Sequence, residues 1–193
     1  RTADVGIIAA DEALARGMTG ASLRGSGVNY DVRRAMPYCG YERYDFDVPL
    51  EEGCDVYARY RVRMSEFQQS MRIVRQALSM LQPGPFMTDD HRFAPPPRSD
   101  LGRSMEAVIR HFKYWTEGFS APEGEVYLAT ESPRGELGCY LIGDGGAQPA
   151  RVHFRTPSFH NLQSLPYMAE GYLVADLVAM IGSIDIVLGD VDR

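Results

Sequence analysis

The sequence predicts a mainly α-helical fold with a small antiparallel β insertion, an α+β arrangement. Three observations carry this expectation. Apolar residues recur every three to four positions from Ala58 to Leu81, the period of a helix with one apolar face. A second run of that kind follows a proline-rich break and ends near Phe119. Between Glu125 and Arg155 the period drops to two, as in half-buried strands.

Taken in order, Asp11 is placed to cap a short helix that ends at Gly17, with acids in its first turn and glycine after its last. From Gly20 to Pro49 no period persists. Glycines, aspartates and Tyr30, Tyr38, Tyr41 and Tyr44 interleave, so this stretch is expected to order by lying on another surface, because its backbone groups need partners. The helix Ala58–Leu81 carries Val62, Phe67, Met71, Val74 and Leu78 on its apolar side, and Pro83-Gly84-Pro85 stops it. Pro95-Pro96-Pro97 is a stiff spacer. Ser99 or Asp100 then caps a helix running to about Phe119, with Met105, Val108, Ile109, Phe112 and Trp115 on its apolar side. Strands are expected at Glu125–Thr130, Leu137–Ile142 and Arg151–Arg155, with a hairpin turn at Gly143-Asp144-Gly145-Gly146. From Ser164 onward the chain turns helical again. Leu173, Val174, Leu177, Val178, Met180 and Ile181 make this segment apolar on most sides, which predicts burial.

Composition narrows the function classes. The chain has 193 residues, 45% of them hydrophobic, and a formal net charge of −6. Such a chain can build a folded core, and its acidic balance argues against non-specific nucleic-acid binding. No stretch supplies the roughly 20 apolar residues of a membrane span. Cys39, Cys54 and Cys139 are too few and too scattered for a disulfide framework, and are expected to be reduced, buried structural thiols. They form no Cys-x-x-Cys pair, and His91, His111, His153 and His160 show no metal-ligand spacing, so no metal site is expected in this chain. There is no phosphate-binding glycine loop and no nucleophile elbow. The chain opens on Arg1-Thr2-Ala3 and is expected to be a piece of a longer protein.

Two segments stand out. In Glu131-Ser132-Pro133-Arg134-Gly135-Glu136-Leu137-Gly138 two acids flank one arginine in a tight turn, which points to a guanidinium held by neighbouring carboxylates and aimed into a cavity. At the end, an apolar helix runs into Ser183-Ile184-Asp185-Ile186-Val187-Leu188-Gly189-Asp190-Val191-Asp192-Arg193. Chain ends are usually polar and frayed. An apolar end with acids at this spacing is expected to be tucked into protein, with buried, partnered carboxylates.

These segments resemble the 49-kDa (D) subunit family of respiratory complex I, the proton-translocating NADH:quinone oxidoreductase. So do Leu23-Arg24-Gly25-Ser26-Gly27-Val28, Phe46-Asp47-Val48-Pro49 and Pro157-Ser158-Phe159-His160-Asn161-Leu162. The blocks span almost the whole chain in the family's order. The resemblance implies that residues 1–193 are the carboxy-terminal portion of one domain whose amino-terminal portion is missing. It further implies a fold like the large subunit of [NiFe] hydrogenases, which carries Glu-x-Pro-Arg-Gly where Glu131 to Gly135 stand here. Those enzymes end in Asp-Pro-Cys-x-x-Cys-x-x-His. Here Val187 and Asp190 stand at the cysteine positions and Arg193 at the histidine. Valine cannot ligate a metal, so the thiolate cage for nickel is gone.

What the resemblance implies instead is a cavity for quinone as substrate. It would lie beside a 4Fe-4S cluster held by a partner subunit, with NADH used elsewhere in the complex and no cofactor bound by this chain. Asp185, Val187, Asp190, Arg193 and Met180 are the candidates for the quinone pocket. Arg134, Glu131 and Glu136 are the cavity-facing or cluster-adjacent candidates. Partners would be the iron–sulfur subunit and the membrane-arm subunits. The chain would sit peripherally on the cytoplasmic face of the bacterial inner membrane, or on the equivalent matrix face. The isolated chain is expected to be inactive. A scaffold role, with the chemistry in the missing half, is the alternative.

Overall fold

The computed structural model describes residues 2–192, so the expectation for Arg193 lies outside the described residues. In chain order the helices are α1 (Ala10–Ala15), α2 (Gly20–Arg24), α3 (Val32–Ala35), α4 (Val56–Met80) and α5 (Met105–Thr116). The strands β1 (Gly124–Ser132), β2 (Gly135–Gly143) and β3 (Arg151–Arg155) come next, then α6 (Pro157–Leu162), α7 (Leu165–Ala169), α8 (Val174–Ile184) and α9 (Leu188–Asp192). One 3-10 turn, Tyr41–Arg43, lies between α3 and α4. The mixed α+β expectation therefore holds, with a three-stranded antiparallel sheet in the order β1-β2-β3.

Chain contacts divide the molecule into two compact units. One holds the chain up to Met80, Leu128–Cys139 and everything from Phe154 on; the other holds Leu81–Tyr127 and Tyr140–His153. The first unit has a core of Ile8, Ala13, Met18, Leu23, Val56, Met168, Met180 and Ile184. Helix α4 begins two residues earlier than its apolar period suggests, because the Asp55 carboxylate accepts from the Ala58 amide at 2.7 Å. Its first half is anchored by Arg59, which is fully buried. The Arg59 guanidinium donates to Ser183 Oγ on α8 at 2.9 Å, to the Gly6 carbonyl at 2.9 Å and to the Cys54 carbonyl at 3.2 Å. Burial pulls its pKa down to about 10.

Several expectations are corrected. Helix α1 has Ala9, not Asp11, at its cap; Asp11 sits in the first turn, where its charge faces the positive end of the helix dipole. Helix α5 starts later than expected, because Ser104 rather than Ser99 or Asp100 caps it through the Ala107 amide. The stretch from Gly20 to Pro49 is held by this chain's own elements. Gln76 and Gln69 of α4 accept from the amides of Asp45 and Asp47, and Arg72 pairs with both acids. The three cysteines are free, but Cys39 is exposed and Cys54 and Cys139 are half-buried. Cys39 and Cys54 have φ of 49° and 59°, left-handed loop positions uncommon for residues other than glycine.

The carboxy-terminal helices are not buried all round. Met180 and Ile184 of α8 are in the core, whereas Leu173, Val174 and Val178 are exposed. Helix α8 thus uses one face. Phe67, Met71, Val74 and Leu78 of α4 are exposed too.

In the second unit Ser104 opens α5, and its apolar residues Ile109, Phe112 and Trp115 are exposed. The expected hairpin turn is present: the Asp144 carboxylate accepts from the Gly146 amide at 3.0 Å, and Gly145 has φ of 86°.

Candidate functional site

The β1–β2 turn sits directly on the amino end of α2. A Cβ on Gly20 would lie 2.3 Å from Gly135 Cα, and one on Gly135 would lie 2.6 Å from Thr19 Cγ2. Only glycine at both positions permits this approach. The contact is pinned by Thr19 Oγ1, which accepts from the Glu136 amide at 3.0 Å. Buried Asn161 of α6 completes it, accepting from the Thr19 amide at 2.9 Å and donating to the Arg134 carbonyl at 3.2 Å. The turn that carries Glu131, Arg134 and Glu136 is therefore fixed from two helices.

Glu131 and Glu136 do not hold Arg134. Glu131 accepts from Arg24 Nη1 at 2.9 Å and from the Val32 amide at 3.3 Å. Glu136 accepts from the Tyr30 hydroxyl at 2.9 Å and lies 3.7 Å from Arg155 Nη1. Burial, together with the hydrogen bond and charge of Glu136, pushes the Tyr30 hydroxyl up to about 12. Arg134 reaches instead to the tail: its Nε donates to the Asp185 carbonyl at 2.9 Å and lies 3.7 Å from Asp185 Oδ2. Asp185 ends α8 in the left-handed region, φ 56°, and its side chain is half-exposed rather than buried.

The densest charge lies around Arg24, 1% exposed. Its guanidinium pairs with Glu131 at 2.9 Å, with Asp31 at 3.8 Å and with Glu66 of α4. Arg33 pairs with Asp31 at 2.6 Å. Burial pushes the Asp31 carboxyl up, but the bonds from Arg33 and the charges of Arg33 and Arg24 outweigh it and hold the group below the usual carboxylate range. Burial pushes Glu131 up, and Arg24 only partly offsets it. This cluster is one wall of a cavity of about 420 Å³, within the size range of small-molecule sites. Glu131, Ser132 and Pro133 enter it from the β1–β2 turn, Arg63, Glu66, Phe67 and Ser70 from α4, and Asp185 from the end of α8.

The sequence candidates are thus partly brought together. Asp185 and Glu131 share the cavity, and Arg134 meets Asp185 just behind it. Met180 is instead fully buried in the core. Val187 and Asp190 lie against α6: the Val187 amide donates to Ser158 Oγ at 3.4 Å, and Asp190 Oδ2 accepts from the Ser158 amide at 3.2 Å. Sequence reasoning missed Arg24, Arg33, Arg63 and Glu66. The signal was present in Arg59, Arg63, Glu66 and Ser70, spaced as one helix face. Among the described residues no cluster of three His, Cys, Asp or Glu side chains is placed to hold a metal ion. No described helix is long and apolar enough to cross a membrane.

Comparison with known proteins gives the family. The family model described as "Respiratory-chain NADH dehydrogenase, 49 Kd subunit" matches residues 1–193. The chain belongs to that family. Among relatives of this 49 kDa subunit family, the second D-type NADH-quinone oxidoreductase subunit of Chloroflexus aurantiacus is 57% identical over all of this chain and 48% of its own length. The first D-type subunit of Roseiflexus castenholzii is 58% identical, with 47% of its length covered. Subunit 4 of the Thermus thermophilus enzyme is 57% identical, also with 47% covered. The chain spans about half the length of the curated relatives it matches.

Proposed function

We propose that this chain forms part of the quinone-reduction cavity of a proton-translocating NADH:quinone oxidoreductase, beside a 4Fe-4S cluster carried by a partner iron–sulfur subunit. The observation that carries this reading is the cavity lined by both Glu131 and Asp185, from the two segments the sequence singles out, together with Arg63 and Glu66 of α4. Quinone reduction needs two electrons and two protons. A cluster held by a partner subunit would supply the electrons; this chain supplies carboxylates and guanidinium groups that follow the charge of the headgroup. The hydrogenase-like fold, the peripheral position on the cytoplasmic or matrix face and contact with membrane-arm subunits belong to the same proposal, as does the inactivity of the isolated chain. Val187 and Arg193 remain candidates through the tail. Met180 and Asp190 would act through the packing of α8 and α6 rather than by touching quinone.

The test uses assembled complexes carrying the full-length subunit. Asp185→Asn keeps the shape and tolerates the left-handed backbone but removes a titratable group, so turnover falls more than binding. Val187→Met crowds the tail and weakens quinone or inhibitor binding by roughly tenfold or more. Wild-type values for both in fully assembled complexes would leave only the scaffold reading. That second reading is favoured by the exposed apolar residues of α4, Phe67, Met71 and Leu78.

A further inference from the structure

Arg59 and Arg63 lie one turn apart on α4 and are used differently. Arg59 spends its guanidinium on three acceptors inside the core. Arg63 reaches Ser22 Oγ at 3.2 Å and, at 3.4 Å, the carbonyl of Arg59 on its own helix. Its Nε is enclosed and meets no acceptor among the described residues. Enclosed donors are almost always paired, and an unpaired one calls for a reason. Burial lowers the pKa of Arg63, and the charges of Arg134 and Arg24 add to this against Asp185 and Glu66. A guanidinium so placed is short of negative charge.

The same side chain stands on the wall of two cavities. One is the charged cavity shared with Glu66, Ser132 and Asp185. The other, about 390 Å³, is lined by Tyr57 and Tyr60 of α4 and Ala179 and Gly182 of α8. The two tyrosine rings are stacked at 6.3 Å, and a Cβ on Gly182 would meet nothing within 4 Å. Ligand sites commonly combine an apolar lining with a few placed polar donors, and Arg63 stands where the two kinds of wall meet.

We infer that Arg63 is an oxyanion receptor, donating from its guanidinium to a carbonyl oxygen of the quinone headgroup in the charged cavity. The inference rests on the quinone reading of that cavity. A guanidinium is suited to this task because it stays charged and its bond strengthens as the acceptor becomes more negative. Glu66 and Asp185 line the same cavity, and their charges favour the protonated guanidinium.

The experiment uses assembled complexes with the full-length subunit and a short-chain benzoquinone as probe. Arg63→Gln is expected to lower kcat/KM for the quinone about tenfold or more, with kcat itself falling because the bond is strongest to the more negative, partly reduced headgroup, and Arg63→Lys to recover part of the loss. An unchanged kcat/KM in Arg63→Gln overturns the inference. Should that variant fail to assemble, the wild-type complex decides. Phenylglyoxal, which modifies arginine, is followed by mass spectrometry with and without a quinone-site inhibitor. Modification of Arg63 that the inhibitor blocks supports the assignment. Modification that the inhibitor does not block, or no modification at all, overturns it. Ser70→Trp separates the two levels, because it fills the charged cavity without touching the guanidinium's role. If it abolishes quinone turnover while Arg63 proves indifferent, the cavity reading stands and the inference falls. If both are indifferent, both fall.

Discussion

The network around Arg24 and the tail from Asp185 to Asp192 carry charge in opposite ways. Arg24 is enclosed, and its three carboxylate partners come from the segment after α2, from α4 and from β1. The tail ends in a short helix with exposed Leu188 and is tied down by one hydrogen bond from Arg134, one from Thr156 and two with Ser158. A buried charge cluster fixes geometry because no member can leave without stranding another. A surface tail can adjust, because water replaces each lost contact. The cavity is built where the two meet: Glu131 from the rigid side, Asp185 from the adjustable one.

The sharpest way to break this contrast is Arg24→Met. It strands Glu131 and Glu66 in a partly enclosed site, while Asp31 keeps Arg33, and removal of one partner of a buried charge cluster costs about 3–5 kcal/mol. Urea unfolding of this chain should show a loss of that size. A loss under about 1 kcal/mol would mean that water solvates the cluster as it does a surface pair.

Next in size is a pH effect. Glu131 has a raised folded pKa, so above the ordinary glutamate value of about 4.3 its folded form holds more protons than its unfolded form. Stability from this group therefore falls as pH rises through that window. Asp31 acts oppositely. Its lowered pKa gives stability that is present above the ordinary aspartate value and is lost as pH falls through the folded one. Glu131→Gln should remove the decline and keep the acid-side rise. Melting temperatures taken across pH 3 to about 8 would show it; an unchanged downward limb would place the proton elsewhere.

The tail responds on a smaller scale. Helix α6 has no cap bond from its own Thr156 side chain, and the Asp190 carboxylate takes the Ser158 amide instead. Asp190→Ala should cost about 0.5–2 kcal/mol, the range of a lost helix cap. Asp190→Asn should restore most of it, and equal losses in both would point to charge rather than capping.

Much of the fold was legible because it rests on local signals. The proline break after α4, the two-residue period of the strands and the Asp144 turn all act within a few residues. The two segments that carry Glu131 and Asp185 were legible as well. Their partners were not, since Arg24 and Glu131 are 107 positions apart and no local pattern reports such a pairing. The apolar tail misled for a related reason. Hydrophobic count predicts burial on every side, whereas α8 is buried only at Met180, Ser183 and Ile184.

The smallest effect belongs to the exposed pairs that tie the segment before α4 to the helix itself. Arg72 pairs with Asp45 and Asp47, both about three-quarters exposed. Such pairs give little, because water screens the attraction and two long side chains must be ordered. The same segment is also held by Gln69 and Gln76, through amide bonds that carry no net charge. Asp45→Asn should therefore lower stability by no more than about 1 kcal/mol at low salt, and by less as salt is added. Gln76→Ala, which removes bonds to both the Asp45 amide and its carbonyl, should cost as much or more and show no salt dependence. Amide exchange at residues 45–47 reads both directly. If Asp45→Asn released this segment while Gln76→Ala did not, charge would be holding the surface as firmly as it holds the interior, and the contrast between the enclosed network and the exposed chain would fail.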